Sequence, residues 1–246
     1  MPTENVKNKT LVIVGPTGSG KTGVAIDIAL RLGGEVISAD SRAIYKGMDI
    51  GTAKPSVAEM KGVIHFGLDL VEPGERFTVV DFKEYCLEKM AEIRARGKLP
   101  IIVGGTGLYV DAVVYDYGFN DIVKKTCSDR TEMSSDFLVI GVKWERDELR
   151  ARLVERADKM FAQDIVGETK RLVEKYGWDS QAMKSNIYPI VWRMMQGEID
   201  EREARRLFVL DDWHLAKRQM TWLKRNQKII WLRLDEIAEY VYNLYR

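Results

Sequence analysis

Two kinds of apolar spacing alternate along the chain. Thr10-Leu11-Val12-Ile13-Val14, Glu35-Val36-Ile37-Ser38, Ile101-Ile102-Val103 and Phe137-Leu138-Val139-Ile140-Gly141-Val142 are short apolar runs, and they predict buried strands. Residues 65–70 and 229–232 predict two more. Between these runs apolar residues return every three or four positions. In 23–32, Ala25, Ile28, Ala29 and Leu32 share one helical face before Gly33-Gly34 breaks the pattern. Thr78 and Asp81 form a capping box ahead of a core stripe of Phe82, Cys86, Met90 and Ile93, and Ser56 with Glu59 forms another. Segments 146–160, 164–176, 187–196, 200–226 and 236–245 complete the helices, and the charges of the first three read as solvated faces. Strands alternating with helices predict an α/β protein, a parallel sheet flanked by helices with a small helical appendage.

Periodicity fails from Gly118 to Ser135, where the chain turns polar. That divides it into a first part, 1–117, a linker, 118–135, and a remainder, 136–246, which completes the sheet and ends in helices. A chain of 246 residues that is 46% hydrophobic can bury one sizeable core. Lys and Arg number 38 against 37 Asp and Glu, so any basic surface for an anionic polymer must be local. Cys86 and Cys127 are isolated thiols without metal-ligand spacing. Residues 1–9 have no apolar signal core, and no run of about 18 apolar residues occurs, so the expectation is a soluble cytoplasmic protein that touches no membrane.

The chemistry centres on Gly15-Pro16-Thr17-Gly18-Ser19-Gly20-Lys21-Thr22, which fits the phosphate-loop pattern G-x-x-x-x-G-K-[ST] between a strand and a helix. Its glycines let backbone amides turn toward phosphate oxygens, Lys21 supplies a cation, and the Thr22 hydroxyl can ligate Mg2+. The fold class is therefore P-loop NTPase-like. Asp40 and Ser41 follow the second strand, at the sheet edge where ligands bind, although Asp40 suits a turn cap equally well. Residues 45–55 make a loop too long for a plain connection. His65 stands without other ligands nearby and reads as structural or as a substrate-edge contact. Gly104-Gly105-Thr106-Gly107-Leu108-Tyr109 is a second glycine-rich strand-to-helix turn, with spacing wrong for a dinucleotide. In 200–226, Ala216, Met220 and Leu223 face inward while Arg218, Trp222 and Arg225 share another face. Such a face suits a nucleic-acid backbone and stacked bases, or is an ordinary basic helix offset by Asp211 and Asp212.

Five blocks in order give the chain a family likeness. They are Gly15 to Thr22; Asp40-Ser41-Arg42 with the Tyr45 to Pro55 loop; His65 with Asp69; Val103 to Tyr109; and Ala216-Lys217-Arg218-Gln219-Met220-Thr221-Trp222. Together they resemble the bacterial tRNA dimethylallyltransferase family. The resemblance implies a monomeric enzyme that moves a dimethylallyl group from dimethylallyl diphosphate to the N6 amine of the adenosine 3′ to the anticodon, releasing diphosphate. It implies Asp40 as the base, Thr106 as a positioning group, and Lys21, Arg218, the loop amides and Thr22-bound Mg2+ as neutralisers of the leaving group. By the same likeness Asp40, Ser41, Arg42, Ala43, Lys217, Arg218, Gln219, Thr221, Trp222 and Lys224 touch the tRNA anticodon stem-loop.

The chain departs from the family twice. A longer helical insertion is reduced to 118–135, with Lys124, Lys125 and Arg130 as its basic residues, and Ile187-Tyr188 replaces a Gly-Tyr pair. Rival readings are an adenylate isopentenyltransferase, a kinase binding ATP at the same loop, and a non-catalytic tRNA-binding remnant.

Overall fold

A computed structural model of the chain describes residues 8–118, 132–185 and 187–246. Cys127, Lys124, Lys125, Arg130 and most of the 118–135 linker lie outside these residues. The strands are β1 (Thr10–Val14), β2 (Gly34–Ser38), β3 (His65–Phe66), β4 (Leu99–Gly104), β5 (Phe137–Lys143) and β6 (Ile230–Arg233). They form one sheet in the order β3-β2-β4-β1-β5-β6, with every pairing parallel. Each side of the sheet is covered, so Leu11, Val12, Ile13 and Val14 are all fully buried, which is why the strands read as unbroken apolar runs.

One apolar layer packs α3 (Val79–Ala95) and α4 (Gly107–Val114) on the sheet through Phe82, Cys86, Ile93 and Val113. The other packs α1 (Lys21–Leu32) and the last helix, α9 (Leu234–Tyr245), through Ala25, Ile28, Ile237 and Val241. Both capping boxes form, at Ser56 before the short α2 (Val57–Met60) and at Thr78 before α3. The Cys86 thiol is 0% exposed, and burial pushes its pKa up to about 12, so it stays an inert core group.

A third apolar cluster joins the 43–55 loop to the helical segment of α5 (Arg146–Ala162), α6 (Ile165–Tyr176), a 3-10 turn (Gln181–Lys184), α7 (Tyr188–Met195) and α8 (Glu201–Leu223). Ile44, Met48, Ile165, Tyr188 and Phe208 are its centre. These helices carry the second wall of the site.

Two local expectations are corrected. The strand expected over 65–70 stops after Phe66, because Gly67 turns to φ +81 where a Cβ would lie 2.6 Å from the Ser38 carbonyl oxygen, and Asp69 is also left-handed. The helices at 146–162 and 165–176 are not simply solvated on their charged sides. Glu168 is 3% exposed, and its carboxylate accepts the N–H groups of Asp49, Ile50 and Gly51 and the Tyr188 hydroxyl. A carboxylate can be buried there because four donors replace its water.

Candidate active site

The carboxyl ends of β1, β4 and β2 lie side by side, and each leads into one part of the site. β1 enters the phosphate loop, β4 ends at Thr106, and β2 ends at Asp40. Helices α5 and α8 close the opposite wall, leaving a cleft of about 1360 Å³ lined by Gly18 to Thr22, Asp40 to Ala43, Thr106, Arg152, Arg156, Asp211, Arg218, Gln219 and Trp222.

The loop has the backbone its glycines permit: Gly18 at φ +74 and Gly20 at φ +81, both followed by the N-terminus of α1. Lys21 Nζ donates to the Pro16 carbonyl at 3.2 Å. Enclosure of the ammonium lowers its pKa to about 8; Asp40 and Asp212 nearby oppose that drop and Arg156 adds to it. The ammonium is therefore enclosed and poorly solvated, the condition in which an anionic ligand is welcome.

Asp40 does both things its position suggested. Its Oδ1 accepts the Arg42 N–H at 2.8 Å, fixing the turn, while the side chain lines the cleft with Oδ2 available. Thr106 ties the neighbouring strand ends together: its hydroxyl accepts the Ser41 N–H at 3.0 Å and lies 3.2 Å from Ser41 Oγ, and its own N–H donates to the Ala39 carbonyl. Ala43 is 4% exposed and offers little to a macromolecule beyond its place at the cleft wall. Lys54 is also committed internally, to the Tyr45 carbonyl, Asp49 and Asp69. His65 Nδ1 donates to the Val63 carbonyl at 2.9 Å, and burial lowers its pKa; Nε2 is buried without a partner among the described residues.

Several residues of the site escaped sequence reasoning. On α5, Arg152 Nε donates to the Gly18 carbonyl at 2.8 Å, and Arg156 donates to Thr17 Oγ1 and pairs with Asp212 of α8 at 3.1 Å. Trp144 Nε1 donates to the Ser19 carbonyl, and the Arg152 guanidinium stacks 4.9 Å above that indole. The signal was present: Leu149, Leu153, Ala157 and Met160 are the buried stripe of α5, and Arg152 and Arg156 fall between them on the same face.

Helix α8 divides into two. Its first half is internally neutralised, with Arg205 on Glu201 and Asp158 and Arg206 on Glu203. In its second half Lys217 and Arg218, with Lys224 just past its end, are exposed and make no ion pair among the described residues. Asp212, expected to offset this charge, is instead spent on Arg156. Gln219 and Trp222 turn toward the sheet. Gln219 Oε1 accepts the Thr17 N–H at 2.7 Å, and Trp222 Nε1 donates to Asp111 at 2.7 Å. The second glycine-rich turn is the platform on which they rest: a Cβ on Gly105 would lie 2.5 Å from Gln219 Nε2, and one on Gly107 only 2.1 Å from Trp222 Cδ1.

Among the described residues no group of three or more His, Cys, Asp or Glu could hold a metal by themselves. No helix there is long and apolar enough to cross a membrane.

Known proteins resemble this chain in sequence and in fold. The IPP transferase family profile matches residues 43–135 and 119–226, and the isopentenyl transferase profile matches 8–72. The tRNA dimethylallyltransferase of Acetivibrio thermocellus is 35% identical over 93% of this chain and 93% of its own. That of Anoxybacillus flavithermus is 32% identical over 95% and 96%. The former alignment spans 291 positions against a chain of 246, so the relative carries residues that this chain lacks. Among solved structures, the full-length tRNA isopentenylpyrophosphate transferase from Bacillus halodurans superposes with a TM-score of 0.84 at 30% identity, over 97% of each chain.

Proposed function

The chain belongs to the IPP transferase family, and from that premise we propose that it transfers a dimethylallyl group from dimethylallyl diphosphate to N6 of the adenosine 3′ to a tRNA anticodon. It is a tRNA-modifying prenyltransferase. The observation that carries this reading is that Arg218, Gln219 and Trp222 of α8 line the same cleft as the phosphate loop and Asp40, which supports a diphosphate and an adenosine meeting there.

In the reaction the bond from the allylic carbon to the diphosphate oxygen breaks, its electron pair leaves with the diphosphate, and N6 forms the new bond to carbon. The loop amides, Lys21, Arg218 and Arg156 face the charge that grows on the departing oxygen. Asp40 Oδ2 takes the proton that N6 loses, while the bond from Arg42 to Oδ1 keeps the carboxylate in place. Thr106, bonded to Ser41 beside Asp40, fixes the edge on which the adenosine is seated. Mg2+ fits as a companion of the diphosphate: Thr22 would give it one oxygen, and substrate oxygens and water the rest, as suits an ion that keeps few protein ligands. Bound, it would neutralise the leaving group.

The family matches favour tRNA over free adenylate. The profile shared with isopentenyl transferases stops at residue 72, whereas the IPP transferase match runs through α8 to residue 226. Incubation with dimethylallyl diphosphate and either unmodified tRNA or AMP tests this. Prenylated tRNA is expected; product on AMP with none on tRNA overturns the reading.

A further inference from the structure

Gln219 sits between the two ligands that the proposed reaction brings together, and its side chain is turned to only one of them. Lys217, Thr221 and Lys224 are exposed on the outer side of α8, while Gln219 is half-buried and its Oε1 is 2.7 Å from the Thr17 amide nitrogen inside the phosphate loop. Its amide nitrogen fills the space above Gly105. The neighbouring Trp222 is held in the same manner over Gly107 by its bond to Asp111. Thr17 is held on its other side by Arg156, which donates to its hydroxyl.

We propose that Gln219 is a positioning residue for the departing diphosphate and not an RNA contact: it fixes the spacing between the phosphate loop and Arg218, the preceding residue of α8. The inference rests on the prenyl-transfer reading above. Its physical basis is that a helix can set the place of a long, exposed arginine only as well as the helix itself is anchored, and the anchors of this half of α8 on the loop side are Gln219 to Thr17 and Trp222 to Asp111. Slack of about 1 Å between an electrostatic stabiliser and the charge it faces is enough to lower a rate by about 10²-fold.

Two variants read the side chain's allegiance. Gln219→Met keeps the size that covers Gly105 and removes the acceptor for Thr17. Gln219→Glu keeps an acceptor and adds a negative charge. Binding of inorganic pyrophosphate and of an unmodified anticodon stem-loop are measured separately, with single-turnover prenyl transfer at saturating substrates. Gln219→Met is expected to lower the single-turnover rate by about 10- to 100-fold with stem-loop affinity within about twofold of the unchanged protein. Gln219→Glu is expected to weaken pyrophosphate by about tenfold or more, again with stem-loop affinity kept, because like charges then share the loop. Stem-loop affinity that falls as much as pyrophosphate affinity, or a Met variant with an unchanged rate, overturns the proposal. If Gln219→Met does not fold, the Glu variant decides by the same two affinities. Failure of the unchanged protein to prenylate RNA would count against the reaction, whereas the two binding measurements still locate Gln219.

Discussion

Arg156 of α5 and Asp212 of α8 form an ion pair at 3.1 Å against the phosphate loop, with side chains 20% and 8% exposed. Burial raises the Asp212 pKa despite the adjacent guanidinium and Lys21, so the carboxylate depends on its partner to stay ionised. Arg156→Ala should therefore cost roughly 3 kcal/mol of stability, near the lower end for breaking a buried pair because the arginine is part-exposed. Replacing both, as Arg156→Met with Asp212→Leu, should restore most of the thermal midpoint without restoring pyrophosphate affinity. Calorimetry and pyrophosphate titration of the three proteins check this; recovery of both properties together would show that Arg156 does nothing for the anion.

Asp40→Asn retains an oxygen able to accept the Arg42 N–H, so the turn and pyrophosphate affinity should survive. Single-turnover prenyl transfer should fall by about 10² to 10⁴, the usual worth of a positioned base. Full turnover at saturating substrates would return Asp40 to a turn-capping role alone.

Lys21 gives the diphosphate site a pH limit. Its pKa in the empty site lies at about 8, below that of an ordinary lysine, so the ammonium is charged below that pH and increasingly neutral above it. A bound diphosphate favours the charged form, and binding above pH 8 must take up a proton. Affinity for dimethylallyl diphosphate should then decline by up to about tenfold per pH unit above 8. Titration at several pH values checks it, and Lys21→Met should bind more weakly throughout and lose the slope.

Glu168 is the anchor of the loop that forms the cleft's outer wall. Glu168→Gln places an amide nitrogen against donors that all need an acceptor, which should destabilise the protein by roughly 2–3 kcal/mol. Hydrogen exchange at the Asp49, Ile50 and Gly51 amides should rise ahead of global unfolding.

Lys217→Ala and Lys224→Ala should each weaken stem-loop binding and reduce the slope of log affinity against log salt by about one unit or slightly less. Trp222→Ala should behave differently, because the indole is fixed on Gly107 and Asp111: an earlier melt, with affinity per folded molecule retained. Filter binding across a salt series separates the two effects.

The sheet, the capped helices and the phosphate loop were legible in the chain alone. These depend on neighbours in the chain: apolar runs at β1 and β5, the Thr78 and Ser56 boxes, and glycines at fixed offsets before Lys21. It also located Asp40 and Thr106, since residues just past the strands of a parallel sheet must meet at one edge. Folding alone settled which partners meet the inward charges. Helical periodicity puts Arg156 and Glu168 among the inward positions of α5 and α6, but it does not say which groups would receive their charge. Their roles arise from groups supplied by distant segments, Asp212 and Thr17 for one, the Asp49–Gly51 amides and Tyr188 for the other. The same holds for Gln219, which a basic helix would offer to RNA and which packing against Gly105 turns to the phosphate loop. A buried charge is fixed by its partners, and partners brought together by folding leave no periodic trace in the chain.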